Sequence, residues 1–223
     1  MLRLPLKFIC TALLLLASPV MADRAIELAP FELPESGAVA LPIASTESLA
    51  GVASEVDEVT DGRLAFAMAE AGFTGAAGEM LTLYGISPYS RIDLVGVGPD
   101  TIDRVAAEDF GGRVAALNNG ENGRPLTILW QGLDRDPDAN AARVALGFRL
   151  GDYRFDRYKQ ADDEAVERGN VVLLTEDEAD IERFNNDLAH IADAVYLARD
   201  LATEPGNVIY PETFVDRVRE AYR

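Results

Sequence analysis

Cysteine and histidine are almost absent from this chain. Of its 223 residues one is a cysteine, Cys10, and one is a histidine, His190. A disulfide framework and a metal site built from several cysteines are therefore excluded. A serine-hydrolase triad is also disfavoured, because the serines lack a glycine-flanked elbow and one histidine leaves little to activate a nucleophile.

Basic residues are scarce relative to acidic ones. The chain has 20 Lys and Arg against 38 Asp and Glu, a formal net charge of −18. Such a surface repels phosphate backbones, so we predict no nucleic-acid partner. It also disfavours contact with anionic membrane surfaces. The simplest meaning of the charge is solubility.

Residues 1–22 have the pattern of a secretory signal. Arg3 and Lys7 precede an apolar run over 8–17, and the small residues of 20–22 offer a cleavage site after Ala22. The run is short for a membrane span. We predict export to the periplasm, loss of Cys10 on cleavage, and no stable membrane association afterwards. An uncleaved anchor and a cytoplasmic location are the alternatives.

Apolar strands and amphipathic helices alternate along the rest of the chain. Strands are predicted at 38–43, 79–84, 92–97, 126–130 and 171–174, and helices at 63–71, 100–117, 136–148, 175–204 and from 211 onward. This alternation predicts an α/β fold with helices on both faces of a sheet.

Capping residues set the predicted helix starts. We place them at Asp100 with Asp103 as its capping-box partner, at Asp136-Pro137, and at Thr175 with Glu178 as partner. Gly111-Gly112 is predicted to interrupt the second helix. Pro205-Gly206 is predicted to end the longest helix, and Pro211 to begin the last one.

Acidic residues and the single histidine offer weak metal-site candidates. Asp187 and Asp193 lie three residues either side of His190 and could hold a metal loosely, although such helix faces are usually only solvated. The acidic runs 162–164 and 176–178, with Asp180, carry oxygens that calcium prefers. They lack the twelve-residue loop, and the second run suits the first turn of a helix, so we interpret both as structural.

Gly96-Val97-Gly98 follows a predicted strand and precedes a predicted helix, where a phosphate-binding loop would lie. The third glycine of the dinucleotide pattern is replaced by Thr101, and no Gly-Lys-Thr or Gly-Lys-Ser follows. A tight strand-to-helix turn explains these glycines adequately.

Two segments carry a family resemblance. The first is Tyr-Arg-Phe-Asp-Arg-Tyr-Lys at 153–159, and the second runs from Arg199-Asp200-Leu201 through Glu204-Pro205 to Pro211-Glu212. In their order and spacing these segments resemble the leucyl (cytosol) aminopeptidase family. Thr203 and Gly206 depart from the residues usual there, and the export signal departs more, since most relatives are cytosolic. The first segment also suits packing, with aromatic rings covering apolar surface and basic groups pairing with carboxylates.

The resemblance implies a fold and a set of boundaries. It implies a three-layer α/β/α mixed sheet, macro-domain-like, followed by a long linker helix. We place the signal peptide at 1–22, the aminopeptidase amino-terminal domain at 23–170, the last strand and linker helix at 171–204, and the start of a catalytic domain at 205–223.

The resemblance also implies what this chain does not carry. The family uses two divalent metals, zinc or manganese, to release amino-terminal residues from peptides, and forms homo-hexamers. The ligands lie in a carboxyl-terminal domain, in strings such as Asn-Thr-Asp-Ala-Glu-Gly-Arg and Phe-Asp-Ser-Gly, and neither string occurs here. We therefore assign no catalytic, cofactor-binding or metal-binding residue. We expect the catalytic domain to be missing, the chain to be inactive alone, and peptides to be bound only through the missing part.

Two function classes stay open. The first is the non-catalytic amino-terminal domain of such a peptidase, whose apolar last helix leaves room for self-association of the fragment. The second is a stand-alone exported module, macro-like and without catalysis, with a small ligand or partner at the turn over 96–99.

Overall fold

The computed structural model describes residues 24–47, 49–119, 124–158 and 169–221. The predicted export signal at 1–22 lies outside the described residues. The elements in chain order are β1 (Ile26–Pro30), β2 (Gly37–Ile43), α1 (Val52–Val59), α2 (Arg63–Glu70), β3 (Met80–Tyr84), β4 (Tyr89–Gly96), α3 (Arg104–Asn118), β5 (Leu126–Trp130), α4 (Ala141–Asp152), β6 (Val171–Thr175), α5 (Glu178–Arg183), a π-helical segment (Phe184–Leu188), α6 (Ala189–Thr203) and α7 (Pro211–Ala221).

The six strands form one mixed sheet in the order β1-β6-β5-β2-β4-β3. Every neighbouring pair is parallel except β3 and β4, which are antiparallel. The central strands are apolar on both sides, as parallel strands covered by helices must be. In β2, for example, all residues from Val39 to Ile43 are buried.

Helices cover both faces of the sheet. On one face, Phe110 of α3, Val144 of α4 and Leu188 of the π-helical segment pack against Trp130 and its neighbours. On the other, α1 and α2 pack over residues such as Leu41 of β2. Burying a large apolar side chain contributes about 1.5–3 kcal/mol. The α/β fold with helices on both faces is confirmed, as is the long helical stretch after the last strand.

Helices α3 and α4 cross at backbone contact. A Cβ added at Gly111 would fall on the carbonyl oxygen of Val144, and one added at Gly147 on that of Glu108. Glycine is required here by space, and neither residue has a positive φ. The predicted interruption at Gly111-Gly112 is therefore wrong, because these glycines sit inside one continuous helix and allow its partner to approach.

The predicted starts of α3 and α4 are also wrong. The carboxylate of Asp103, and not that of Asp100, accepts from the Ala106 amide and caps α3. Asn140, and not Asp136-Pro137, caps α4. An isolated bridge pairs Ile102 with Arg135 just before the two helices, and the Ile102 and Asp136 amides donate to the carbonyl oxygens of Asp134 and Ile102, so these residues are bonded outside a helix.

Thr175 does not cap the long helix. It is the last residue of β6, paired with Pro30, and Asp177 caps α5 through the Ala179 amide. The helical stretch from Glu178 to Thr203 is also not uniform, because the five residues from Phe184 to Leu188 within it are π-helical. Phe184 and Leu188, which bound the π-helical segment, are both buried.

Two elements were not predicted. Strand β1 lies at an edge of the sheet beside β6, and α1 follows β2 on the face that α2 also covers. The predicted boundaries between amino-terminal domain, linker and catalytic domain stay predictions.

Candidate functional site

The two segments that carry the family resemblance lie side by side. Tyr153 ends α4 in an extended conformation, so the chain leaves the helix and runs along α6. The Tyr153 hydroxyl donates to the Asp200 carboxylate at 2.8 Å. From the opposite direction, the Arg199 guanidinium donates to the carbonyl oxygen of Leu150 at 2.6 Å. The second segment is thus bound to the end of α4 and to the first segment.

Aromatic rings and arginines alternate along this contact. The rings of Tyr153 and Tyr196 meet edge to face at 5.1 Å. The Arg149 guanidinium lies 5.0 Å from the Tyr196 ring centre, and that of Arg199 lies 5.2 Å from the Tyr153 ring centre. Arginine over an aromatic face is stabilised by the ring quadrupole as well as by packing. The Tyr196 hydroxyl also donates to the carbonyl oxygen of Arg149.

Glu204 closes the far end of the contact. Arg157 donates to its Oε1 and Tyr158 to its Oε2. Arg217, from α7, has Nη2 at 3.4 Å from Oε1. The Glu204 side chain is only 2% exposed, although the residues around it in sequence are exposed. We call the group Arg157, Tyr158, Asp200, Glu204 and Arg217 the Glu204 cluster.

Hydrogen bonding sets the protonation states in this region. The hydrogen bond from Tyr158 and the contacts with Arg157 lower the pKa of Glu204. The same hydrogen bond raises the pKa of Tyr158. Burial, and then the bond to Asp200, raises the pKa of Tyr153. At neutral pH both tyrosines are neutral donors and Glu204 is an ionised acceptor. These protonation states stabilise the contact between the two segments.

The predicted architectural role of 153–158 agrees with these contacts, and Lys159 lies outside the described residues. The sequence interpretation missed the roles of Glu204 and Arg217. Glu204 precedes a proline at a helix end and gives no local sign of burial. Arg217 reaches it from a separate helix, which no sequence spacing indicates.

Within the described residues, His190 and its acidic neighbours are not grouped so that they could hold a metal ion. His190, Asp187 and Asp193 are all exposed, and the Asp193 carboxylate accepts from Arg149 at 2.8 Å. The Asp193 carboxylate is thus already hydrogen-bonded to an arginine of α4.

The acidic run at 176–178 and Asp180 serve helix ends. Asp177 caps α5. Asp180 is buried and accepts from the Ala141 amide at 3.0 Å, which places a carboxylate at the amino terminus of α4. Burial raises the pKa of Asp180. The other run, 162–164, lies outside the described residues.

The amides of the Gly96–Gly98 turn are already bonded. Gly96, Val97 and Gly98 donate to the carbonyl oxygens of Glu79, Ile43 and Gly75, at 2.7, 2.9 and 2.9 Å. A Cβ at Gly96 would fall on the carbonyl oxygen of Ala76. The geometry therefore gives no support to a ligand in this turn.

The neighbouring loop has the form of an anion site that the chain fills itself. One oxygen of the Glu79 carboxylate accepts from the Thr74 hydroxyl and amide at 2.8 and 2.9 Å. The Gly75 and Ala76 amides donate to the same oxygen at 3.1 and 3.3 Å. These bonds, led by that of the Thr74 hydroxyl, lower the pKa of Glu79.

The crevice at the ends of β2 and β5 is also filled by the chain itself. The crossovers from these strands go to opposite faces, which is where open α/β sheets usually bind ligands. Here the loops after the two strands touch. A Cβ at Gly51 would lie against the carbonyl oxygen of Gly132, and the Val52 amide donates to the carbonyl oxygen of Gln131 at 3.5 Å.

The described residues contain neither a metal-binding group of side chains nor a helix able to span a membrane. Across 24–47, 49–119, 124–158 and 169–221, no three His, Cys, Asp or Glu side chains are grouped so that they could hold a metal ion. In the same part of the chain, no helix combines the length and apolar character needed to cross a membrane.

Known proteins resemble this chain in sequence and in fold. A probable cytosol aminopeptidase of Caulobacter vibrioides is 31% identical over 207 residues, covering 87% of this chain and 40% of the relative. One of Gluconobacter oxydans is 34% identical over 172 residues, covering 74% and 34%. The chain therefore spans about two fifths or less of the length of these relatives.

Solved structures share the fold at low identity. A mutant of tomato leucine aminopeptidase aligns with a TM-score of 0.72 at 19% identity, over 91% of this chain and 43% of its own. The bottromycin maturation enzyme BotP, in complex with Mn, aligns with a TM-score of 0.61 at 21% identity, over 83% and 35%. The sequence profile of the cytosol aminopeptidase family, N-terminal domain, matches residues 40–162. The chain accordingly belongs to the cytosol aminopeptidase family and contains its N-terminal domain.

Proposed function

We propose that this chain is the non-catalytic amino-terminal domain of a leucyl-aminopeptidase-like metallo-exopeptidase, an enzyme that releases amino-terminal residues from peptides. The observation that carries the proposal is the profile match to the family's N-terminal domain over residues 40–162. The relatives are matched over about two fifths of their length or less, which is the share expected of one domain of a larger enzyme.

In this proposal the chain is a structural domain that supports and orients the catalytic domain. The family segments at 153–158 and 199–204 are hydrogen-bonded to each other, from Tyr153 to Asp200 and from Tyr158 to Glu204. The two divalent metals, zinc or manganese, and the peptide would be bound by a catalytic domain and not by any residue named here. Hexamer formation by the whole enzyme is part of the same proposal.

An activity assay tests the proposal directly. The purified chain is incubated with leucine p-nitroanilide and added manganese, beside the Caulobacter vibrioides relative as a positive control. We expect nitroaniline release at the rate of the blank for the chain and rapid release for the relative. Chelator-sensitive turnover by the chain alone would contradict the proposal, as would tightly held, stoichiometric manganese or zinc.

Export to the periplasm belongs to the proposal as well. Its support is the charge and hydropathy pattern of residues 1–22. Expression in a Gram-negative host, followed by fractionation and amino-terminal sequencing, tests it. We expect a periplasmic product that begins at Asp23, and a cytoplasmic product that retains Met1 would overturn it.

A further inference from the structure

Glu204 joins three segments of the chain through one carboxylate. It lies at the end of α6, accepts from Arg157 and Tyr158 in the segment after α4, and is approached by Arg217 from α7. An ionised carboxylate is costly to bury unless donors surround it. The Glu204 charge therefore stays buried only while the surrounding donors keep their positions, so the cluster restricts how the three segments can move.

The position of Glu204 is not explained by the helix that carries it. The carboxyl end of a helix carries partial negative charge, so a carboxylate is unfavourable there without compensation. The Glu204 amide bonds to the carbonyl oxygen of Asp200, and Pro205 follows and cannot continue the helix. Arg157, Tyr158 and Arg217 thus hold the Glu204 carboxylate in place despite the partial negative charge at the end of α6.

Helix α7 is not fixed by apolar packing. Within 211–221 no residue is buried, and Phe214 and Val215 are 47% and 41% exposed. At its start, the Thr213 hydroxyl lies 2.9 and 3.0 Å from the carbonyl oxygens of Val208 and Tyr210, both of which are in the turn before the helix. The ion pair from Arg217 to Glu204 reaches across to α6 and, through Arg157 and Tyr158, to the sheet domain.

We propose that Glu204 is a latch that fixes the direction in which α7 leaves the domain. Arg157 and Tyr158 hold one side of the carboxylate and belong to the domain. Arg217 holds the same Oε1 that Arg157 binds, and it belongs to α7. Loss of Arg217 frees α7 and keeps the contacts of Glu204 with Arg157 and Tyr158. Loss of the Glu204 charge weakens the contacts with all three residues.

Distance measurement between spin labels tests the latch. In a Cys10→Ser background, Glu182→Cys on α5 and Glu220→Cys on α7 place labels at two exposed positions. We expect a narrow distance distribution in the otherwise unchanged chain. Arg217→Gln and Glu204→Gln should each broaden it severalfold, because a helix without buried contacts samples many orientations once its tether is lost.

Matched variants control for the loss of a charge on α7. Arg219→Gln removes an arginine that pairs within the helix, with Asp216 at 3.8 Å, and Glu212→Gln removes an exposed acid. Both should leave the distribution narrow. Because Arg217 is partly exposed, Arg217→Gln should keep the circular dichroism of the folded chain, so its result stands even if Glu204→Gln fails to fold.

Two outcomes would overturn the latch. The first is a distribution that stays narrow in Arg217→Gln, since α7 would then be fixed by other contacts. The second is a distribution already broad in the unchanged chain, since the ion pair would then not restrain the helix.

Discussion

The crossing of α3 with α4 and the junction of α6 with α7 use opposite means to hold two helices together. At the crossing, glycines bring backbone against backbone, and the surroundings are apolar. At the junction, no residue of α7 is buried, and a carboxylate shared by arginines makes the connection. At Gly111 and Gly147 the first contact has no space for one added methyl group. The second is sensitive to charge and tolerates changes in shape on its exposed side.

The largest effect should come from filling the crossing. Gly147→Ala places a Cβ on the carbonyl oxygen of Glu108, and backbone cannot move aside as a side chain can. We expect a loss of about 3 kcal/mol or more in the free energy of unfolding. Urea denaturation followed by circular dichroism measures it.

Gly112→Ala is the matched control at the same crossing. Its nearest neighbour would be the carbonyl oxygen of Gly147 at 3.6 Å, an ordinary contact. Since alanine favours helix over glycine, this variant should be neutral or gain about 0.5 kcal/mol. Equal losses for both variants would show that the backbone approach is not what makes Gly147 necessary.

A smaller effect should follow from removing one hydroxyl in the contact between 153–158 and α6. Tyr153→Phe keeps the ring that meets Tyr196 and loses the hydrogen bond to Asp200. We expect a loss of about 1 kcal/mol, the usual net contribution of such a bond. Tyr210→Phe, at an exposed position, should change stability little. The comparison uses the same urea titrations.

The Glu79 loop should respond to pH. The bonds from Thr74 and its neighbours lower the pKa of Glu79 below its ordinary value of 4.5. The stabilisation is then present above that ordinary value and is lost as the pH falls through the folded-state pKa. Glu79→Gln should therefore be less stable than the unchanged chain at neutral pH, and the difference should shrink as the pH falls below the ordinary value.

Thermal unfolding at several pH values measures this difference. Glu70→Gln, an exposed change on α2, controls for the general effect of removing one negative charge. A difference for Glu79→Gln that stays constant with pH would contradict the assignment.

The smallest effect should be at the exposed face of α7. Phe214→Ala should change the free energy of unfolding by less than about 0.5 kcal/mol, because the side chain is half exposed. Limited proteolysis should also cut first within 205–221. A large loss for Phe214→Ala would mean that α7 packs on the domain after all.

The interior strands could be predicted because they are apolar along their length, and the edge strand β3 because its residues alternate. Leu126–Trp130 and Val171–Thr175 occupy the middle of the sheet, and their composition alone indicates burial. Strand β1 was missed because it is a short edge strand that ends at Pro30, and proline argues against a strand in the sequence. Helix α1 was missed because Gly51 precedes it with no side-chain cap.

The helix starts and the Glu204 cluster required contacts that are distant in sequence. Asp100 and Asp103 are both good capping residues, and the bridge between Ile102 and Arg135 decides between them. Likewise, Glu204 and Arg157 are 47 positions apart, and only the fold brings them together. The family segments were recognisable in the sequence, whereas the bonds that they make were not.

The π-helical segment determines which side of α6 faces the domain. Each residue of an α-helix turns the chain by about 100°, so one residue absorbed in a wider turn rotates everything after it by that amount. Ala189 bonds back to Phe184 across this wider turn. A regular helix through the same residues would turn Tyr196 and Asp200 by about 100° relative to Tyr153, and the contacts that they make with it would have to change. The phase of one helical turn thus aligns two stretches of sequence that lie more than forty residues apart.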